Sequence, residues 1–166
     1  MKKFEISLRK ADVTDIERMF EMLEKSLSKY LTINRESSKN NQLIIDKSFV
    51  KEYINNDKYL CLIAKVDSEI VGWLAGSRNK KVLSEHGCSS DEFYIEEIVV
   101  DFLYRSRGIG SFLLRNIPLD NLKAIVTDTL KINDKAITFY EHSGFSKVLG
   151  MSEEFSKNWV RMSKEV

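Results

Sequence analysis

The chain has 166 residues, of which 43% are hydrophobic and 31% are charged, and this size and composition predict one compact domain over residues 1–166. Lys plus Arg number 26 and Asp plus Glu number 25, which gives a formal net charge of +1. A chain so nearly neutral has no overall field that favours nucleic acid or an anionic membrane as its partner.

The amino-terminal sequence and the surroundings of the two cysteines indicate in which cellular compartment the protein is expected. The first ten residues, MKKFEISLRK, lack the apolar stretch of a secretion signal, and no apolar run has the length of a membrane span. Cys61 lies in the apolar run YLCLIA and Cys88 in the polar run EHGCSS, which is neither a metal-ligand spacing nor a disulfide framework. We therefore expect a soluble, cytoplasmic protein without a metal, in which Cys61 belongs to the core.

Hydrophobic periodicity predicts the elements of the first 77 residues. Thr14 and Glu17 have the spacing of a capping box, which predicts that a helix begins there. The polar stretch NRESSKNN predicts a loop over 34–41. The predicted elements are a strand over 4–10, a helix from residue 14 to residue 31, a weaker helix over 43–55, and a β-hairpin with strands 59–66 and 70–77.

The remaining residues alternate between strand and helix patterns. Pro118 ends one predicted helix, and Gly144 stands where a left-handed residue commonly closes another. The long polar segment 78–91 predicts a connection of a length that is often functional. In chain order we expect a strand over 93–100, a loop over 101–106, a helix over 107–116, a strand over 123–128, a helix over 132–143, and strands over 145–149 and 158–163. This order predicts a mixed α/β sheet covered on both faces.

The segment 94–114, YIEEIVVDFLYRSRGIGSFLL, contains the first informative motif. A strand leads into Arg105-x-x-Gly108-x-Gly110 and then into a helix. Glycines let the backbone approach a ligand closely, and consecutive amides at a helix start point towards an anion such as a pyrophosphate. Leu113 stands where the dinucleotide fingerprint has its third glycine, and the Gly-Lys-Ser/Thr of a mononucleotide loop is missing. The alternative is a tight turn that glycine merely assists.

The second motif lies on the helix predicted over 132–143. Asn133 and Tyr140 are seven residues apart, close to two helical turns, so they project from one face and can line one groove. The alternative is a helix cap at Asn133 and ordinary core packing at Tyr140. His142, near the end of this helix, is interpreted as a solvated or capping residue.

Together, the two motifs resemble those of the GNAT (Gcn5-related) N-acetyltransferases. The first matches the family's Gln/Arg-x-x-Gly-x-Gly/Ala signature after an apolar trio, and the second its Asn-x-x-Ala-x-x-Phe-Tyr-x-x-x-Gly-Phe pattern. The residues of the second match are Asn133, Ala136, Phe139, Tyr140, Gly144 and Phe145. The resemblance implies a GNAT-like α/β fold, with a mostly antiparallel twisted sheet of six to seven strands flanked by about four helices.

The resemblance also implies an acetyltransferase that uses acetyl-CoA as co-substrate, and it assigns roles to residues. Backbone amides of the trio Ile98, Val99 and Val100 would contact the acyl and pantetheine groups. The pyrophosphate would be bound by the residues Arg105, Ser106, Arg107, Gly108, Ile109 and Gly110. Asn133 would contact the pantetheine arm, and Tyr140 would protonate the departing sulfur.

Acyl transfer to an amine also needs a base, because a primary amine with an ordinary pKa of about 10.4 is protonated near neutrality. The resemblance places the base at Glu96 or Glu97, acting through water. Strand alternation sends these two side chains to opposite faces, and similarity to polyamine acetyltransferases of the family favours Glu96. Asp128 is a third candidate, with a turn or cap role as its alternative.

The predicted partners are acetyl-CoA and an amine acceptor, and a homodimer is left open. Acidic residues favour a cationic small molecule such as a polyamine, although a peptide amine, an aminoglycoside or a metabolite also fits. These acids are Glu85, Asp91, Glu92, Glu96, Glu97, Glu153 and Glu154. One alternative is a non-catalytic acyl-CoA-binding or sensing module on the same fold, and another is a regulatory domain that binds a different nucleotide.

Overall fold

The computed structural model describes residues 5–37, 46–78 and 89–166. The strands in these ranges are β1 (Ile6–Lys10), β2 (Tyr59–Val66), β3 (Glu69–Arg78), β4 (Glu92–Val100), β5 (Ala124–Leu130), β6 (Ser146–Lys147) and β7 (Trp159–Glu165). The helices are α1 (Ile16–Ser37), α2 (Lys47–Asn55), α3 (Ile109–Arg115), α4 (Asp134–His142) and α5 (Glu153–Asn158). Single 3-10 turns over Val13–Asp15 and Phe102–Tyr104 precede α1 and follow β4.

The seven strands of the described ranges form one sheet in the order β1-β2-β3-β4-β5-β7-β6. The β1–β2, β5–β7 and β6–β7 pairs are antiparallel, whereas β4 and β5 are parallel, from Glu92 opposite Ala124 to Ile95 opposite Thr127. The mixed α/β fold with a mostly antiparallel sheet is confirmed. The described residues form five α-helices, whereas about four were expected.

The chain divides into two compact units, residues 1–75 with 97–116 and residues 76–96 with 117–166. The single domain over 1–166 stays a prediction. In the first unit, the apolar stripe of α1 buries Met19 in a core that also contains Val50, Ile63 and Trp73, all fully buried. Cys61 lies in this core, and burial raises the pKa of its thiol to about 12. Cys88 lies outside the described residues.

The second unit has buried apolar side chains of its own. Phe93, Ile95 and Met162 are buried there, whereas Trp159 at the start of β7 is 42% exposed. Gly144, the second residue after α4, has a φ of +88°, so the left-handed helix end that was predicted at this position is confirmed. None of the helices that the structure describes is long and apolar enough to cross a membrane.

Two local expectations are wrong, and one element has no counterpart among the predictions. The capping box lies two residues earlier than predicted, because Asp12 and Asp15 bind each other's backbone amides across the 3-10 turn. The loop expected from residue 34 is still helical as far as Ser37, because polar residues alone do not end a helix. No pattern in the sequence predicted α5, a six-residue helix whose Ser152 hydroxyl caps the Phe155 amide.

Candidate functional site

The loop between β4 and α3 belongs to the first unit and contains the Arg105-x-x-Gly108-x-Gly110 motif. Ser106 and Gly108 have left-handed backbones, with φ of +60° and +80°. Gly108 is the residue that precedes α3, so the N-cap position supplies no side chain to the first amides of that helix. A Cβ added at Gly108 would meet no atom of the residues that the structure describes within 4 Å. The glycine therefore leaves open space over a turn whose amides can bind an anion.

Asp101 anchors the start of this loop. Its amide donates to the Val71 carbonyl oxygen at 2.9 Å, and its Oδ1 accepts from the Leu103 amide at 2.9 Å. Its Oδ2 lies 2.5 Å from the Arg18 Nη2 atom of α1. Because Asp101 is bound by strand, loop and helix together, we infer that it fixes the path of the chain from β4 towards Gly108.

The Arg105 side chain turns back onto the loop's own base. Its Nε donates to the Val100 carbonyl oxygen at 3.1 Å, and its Nη2 lies 3.4 Å from the Ser26 hydroxyl on α1. The side chain therefore braces the loop, while Ser106, Arg107 and Gly108 are exposed. A phosphate role for Arg105 stays a prediction.

Gly72 in β3 lets α3 approach the strand closely. A Cβ built at Gly72 would lie 2.8 Å from Ile109 Cγ2, 3.2 Å from the Val99 carbonyl oxygen and 3.3 Å from Leu113 Cδ1. Any side chain at this position would therefore push α3 and its preceding loop outwards. Gly72 belongs to neither sequence motif, although a glycine inside an apolar strand is a known sign of close backbone approach.

The apolar trio and the two candidate bases follow one another along β4. Val99 is buried in the core of the first unit, and Ile98 and Val100 are half-buried. Glu96 and Glu97 are also half-buried, and the continuous strand sends their side chains to opposite faces. A role for either glutamate as base, and for the trio's amides as acyl ligands, stays a prediction.

Asp128 lies inside β5 and forms an ion pair, so the turn or cap role considered for it is wrong. Arg161 of β7 donates from Nε to Oδ1 and from Nη2 to Oδ2, both at 2.8 Å. The Tyr94 hydroxyl of β4 donates to Oδ2 at 3.0 Å. Both carboxylate oxygens therefore already accept hydrogen bonds, which makes Asp128 a poor candidate for the base.

The same contacts shift the ionisation of both partners. Burial, assisted by the charge of Asp128, raises the pKa of the Tyr94 phenol, so this hydroxyl stays protonated and keeps donating. Burial lowers the pKa of Arg161, but the hydrogen bonds and charge of Asp128 outweigh it and raise the pKa above its ordinary value. Tyr94 and Arg161 were not predicted as site residues, because neither belongs to a local motif.

The second motif lies at the two ends of α4. Asn133 precedes the helix, and its Oδ1 accepts from the Ala136 amide at 3.2 Å. Tyr140 is 5% exposed, and its ring centroid lies 5.2 Å from those of both Phe139 and Phe145. These contacts correspond to the cap and core alternatives, and the pantetheine and general-acid roles stay predictions.

Comparison with protein families identifies one match over most of the chain. A family model described as "Acetyltransferase (GNAT) family" matches residues 19–145. This range contains both sequence motifs. Among the residues with described positions, no group of three or more His, Cys, Asp or Glu side chains is arranged to hold a metal ion.

Known proteins resemble the chain in sequence and in structure. N-alpha-acetyltransferase 30 of Dictyostelium discoideum is 28% identical over 101 residues, which are 58% of this chain and 51% of that protein. The chain therefore spans about half the length of this relative. The structure of PH1933 from Pyrococcus horikoshii is 25% identical with a TM-score of 0.68, covering 98% of this chain and 99% of that one.

The ribosomal-protein-S18-alanine N-acetyltransferase from Escherichia coli has the same fold. Its TM-score is 0.67, and the match covers 98% of this chain and 94% of that one. The identity is 13%, so this likeness concerns the fold alone.

Proposed function

The chain belongs to the acetyltransferase (GNAT) family, and from this premise we propose that it transfers the acetyl group of acetyl-CoA to a primary amine. The observation that most supports the proposal is the β4–α3 loop, with its left-handed Gly108 and the open space beside it. Such a loop suits the pyrophosphate of CoA because amides can reach the phosphate oxygens without interference from a Cβ.

The loop's charges also suit this donor. Arg105 and Arg107 are exposed, and the Arg107 guanidinium lies 5.4 Å from the centre of the Tyr104 ring. Two positively charged side chains in one loop favour a ligand with several negative charges. In this proposal the amides of Ile98, Val99 and Val100 bind the acyl and pantetheine groups, as the family resemblance implies.

The transfer is direct and needs no covalent enzyme intermediate. The amine nitrogen attacks the thioester carbonyl carbon, the new C–N bond forms, and the C–S bond breaks to release CoA. One proton leaves the amine, with Glu96 or Glu97 as the acceptor through water, and one proton reaches the thiolate, with Tyr140 as the donor. Asn133 contributes to binding of the pantetheine arm in the same scheme.

The name of the Dictyostelium relative favours the α-amino group of a peptide as the first acceptor to test. A cationic small molecule such as a polyamine is the second. A non-catalytic acyl-CoA sensor is the alternative function, and the deep burial of Tyr140 among aromatic rings is the observation that favours it.

The proposal is tested by incubating the protein with acetyl-CoA and a panel of peptides, polyamines and simple alkylamines. We expect one class to release free CoA in equal amounts with acetylated amine. Thermal stabilisation by acetyl-CoA but not by ATP is expected in parallel, since a ligand of the native state raises its apparent stability. Stabilisation by acetyl-CoA without release of CoA with any amine would support the sensor, and stabilisation by ATP alone would contradict both functions.

A further inference from the structure

Three side chains from three neighbouring strands of the second unit form a buried polar cluster. Tyr94 of β4 and Arg161 of β7 are each 8% exposed, and both bind Asp128 of β5. Asp128 lies directly opposite Arg161 in the β5–β7 register. The guanidinium also lies 5.8 Å from the centre of the Tyr94 ring, so each member contacts both others.

Stability alone does not explain this cluster. Removing two charges from water is costly, and replacing a buried ion pair by apolar side chains of similar volume is often neutral or stabilising. The neighbouring positions show that the sheet accepts such residues, because Ala124 and Val126 form an apolar cluster with Tyr94. The ion pair at this position is therefore better explained by a role in holding a group in place.

The cluster lies where two parallel strands stop pairing. The β4–β5 register runs from Glu92 opposite Ala124 to Ile95 opposite Thr127, and Asp128 is the next residue of β5. In sheets with parallel strands, ligands bind at the carboxyl ends of the strands. Glu96, the preferred base, is the next residue of β4, and strand alternation puts it on the same face as Tyr94.

We propose that Tyr94 is an acceptor-binding residue whose hydroxyl oxygen receives a hydrogen bond from the substrate amine, and that Asp128 and Arg161 are positioning residues for that hydroxyl. This inference rests on the proposed function. Tyr94 donates its one hydroxyl proton to Asp128, so towards any further partner its oxygen acts only as an acceptor. An amine or ammonium N–H is a donor and fits this requirement.

The charges on this face of the sheet agree with a cationic or amine ligand. The positive charge of Arg161 balances the negative charge of Asp128. On the same face, β4 adds the carboxylates of Glu92 and Glu96. Both act electrostatically on the cluster, Glu92 on Arg161 and Glu96 on Tyr94. The remaining negative charge favours an amine over a carboxylate acceptor group.

The test combines tyrosine NMR with amine kinetics in the full chain. The chain has six tyrosines, so ring-labelled tyrosine gives few signals, and loss of one in Tyr94→Phe assigns Tyr94. n-Butylamine is added in the presence of CoA, with n-butanol as the uncharged control. We expect the amine, but not the alcohol, to shift the Tyr94 signal of the wild-type protein.

A paired apolar variant separates positioning from folding. The double variant Asp128→Leu with Arg161→Met removes the ion pair without leaving a lone buried charge, so it should fold. We expect it to lose the Tyr94 response and to raise the amine KM or lower kcat by about 10- to 100-fold, the effect of a misplaced binding group. Its Kd for acetyl-CoA should stay within about twofold of the wild-type value. The single variant Arg161→Lys keeps a cation beside Asp128, so its amine kinetics should be impaired less than those of the double variant.

Arg9→Met is the matched control, because Arg9 binds the buried Asp15 through two similar bonds of 2.7 Å and 2.6 Å in the first unit. It should lower stability and leave the amine kinetics unchanged. The inference is overturned if n-butylamine does not shift the Tyr94 signal. It is also overturned if the double variant has wild-type amine kinetics. A Tyr94 signal that responds in a protein that releases no CoA supports this site and contradicts the proposed function instead.

Discussion

Gly108→Ala separates the folding role of the loop from its binding role. Gly108 has a φ of +80°, and an added Cβ would meet no atom within 4 Å in the described ranges 5–37, 46–78 and 89–166. The substitution therefore creates no clash, and its folding cost is the left-handed backbone alone, about 1–2 kcal/mol. For a chain of this length that cost corresponds to a fall in melting temperature of roughly 2–8 °C.

The effect on binding should be larger than the effect on folding. If the loop amides hold the pyrophosphate, the new methyl group separates at least one amide from a charged oxygen. A hydrogen bond to a charged group contributes about 1.5–3 kcal/mol, so the Kd for acetyl-CoA should rise by about 10- to 150-fold. Isothermal titration calorimetry on the folded variant measures this directly.

Gly150→Ala supplies a matched control. Gly150 has a φ of +79° and the same open surroundings, but it lies between β6 and α5 in the second unit. Its melting temperature should fall by a similar amount while its Kd for acetyl-CoA stays at the wild-type value. Equal Kd values in the two folded variants would refute the assignment of this loop to the pyrophosphate.

Three further predictions concern the candidate acids and the core thiol. Glu96→Gln should lower kcat by about 10²–10⁴-fold at constant acetyl-CoA affinity, because the carboxylate base is lost. If this variant has a normal rate and Glu97→Gln is inactive, the base is Glu97, on the other face of the strand. Tyr140→Phe should lower turnover by about 10²-fold or more in folded protein, if the hydroxyl protonates the thiolate. A lower melting temperature with normal turnover would identify a purely structural tyrosine. In a Cys88→Ser background, Cys61 should resist alkylation at pH 8 until the protein unfolds, because its pKa of about 12 keeps the thiol protonated; rapid labelling of native protein would contradict that burial.

Hydrophobic patterns in the sequence predicted the helices and strands whose buried side chains recur at a fixed spacing. The stripe of α1 that contains Met19 and Leu23 is buried, and the apolar runs of β2 and β3 became strands with nearly the predicted bounds. α5 was missed because six residues, of which only Phe155 is apolar, are too few to show a helical period. The end of α1 was misplaced because the stretch 34–41 contains no glycine or proline to stop a helix.

The site was predictable only where backbone geometry demands a residue type. The left-handed turn requires glycine, so Gly108 was visible as a motif. The ion pairs of Asp101 and Asp128 are contacts between distant positions, with a sequence separation of 83 between Arg18 and Asp101 and of 33 between Asp128 and Arg161. No local window contains both members of either pair, and without the fold their charged side chains resemble ordinary surface residues.

The two tryptophans give each compact unit its own optical probe. Trp73 is fully buried in the first unit, and its indole N–H has no acceptor among the residues that the structure describes, whereas Trp159 in the second unit is 42% exposed. Indole emission moves to longer wavelength in water, so the native spectrum should contain a blue component and a red one, and iodide should quench the red component. In a Trp159→Phe protein the emission follows the first unit alone. Comparing its denaturation midpoint with that of the far-ultraviolet circular dichroism shows whether residues 1–166 unfold in one cooperative transition.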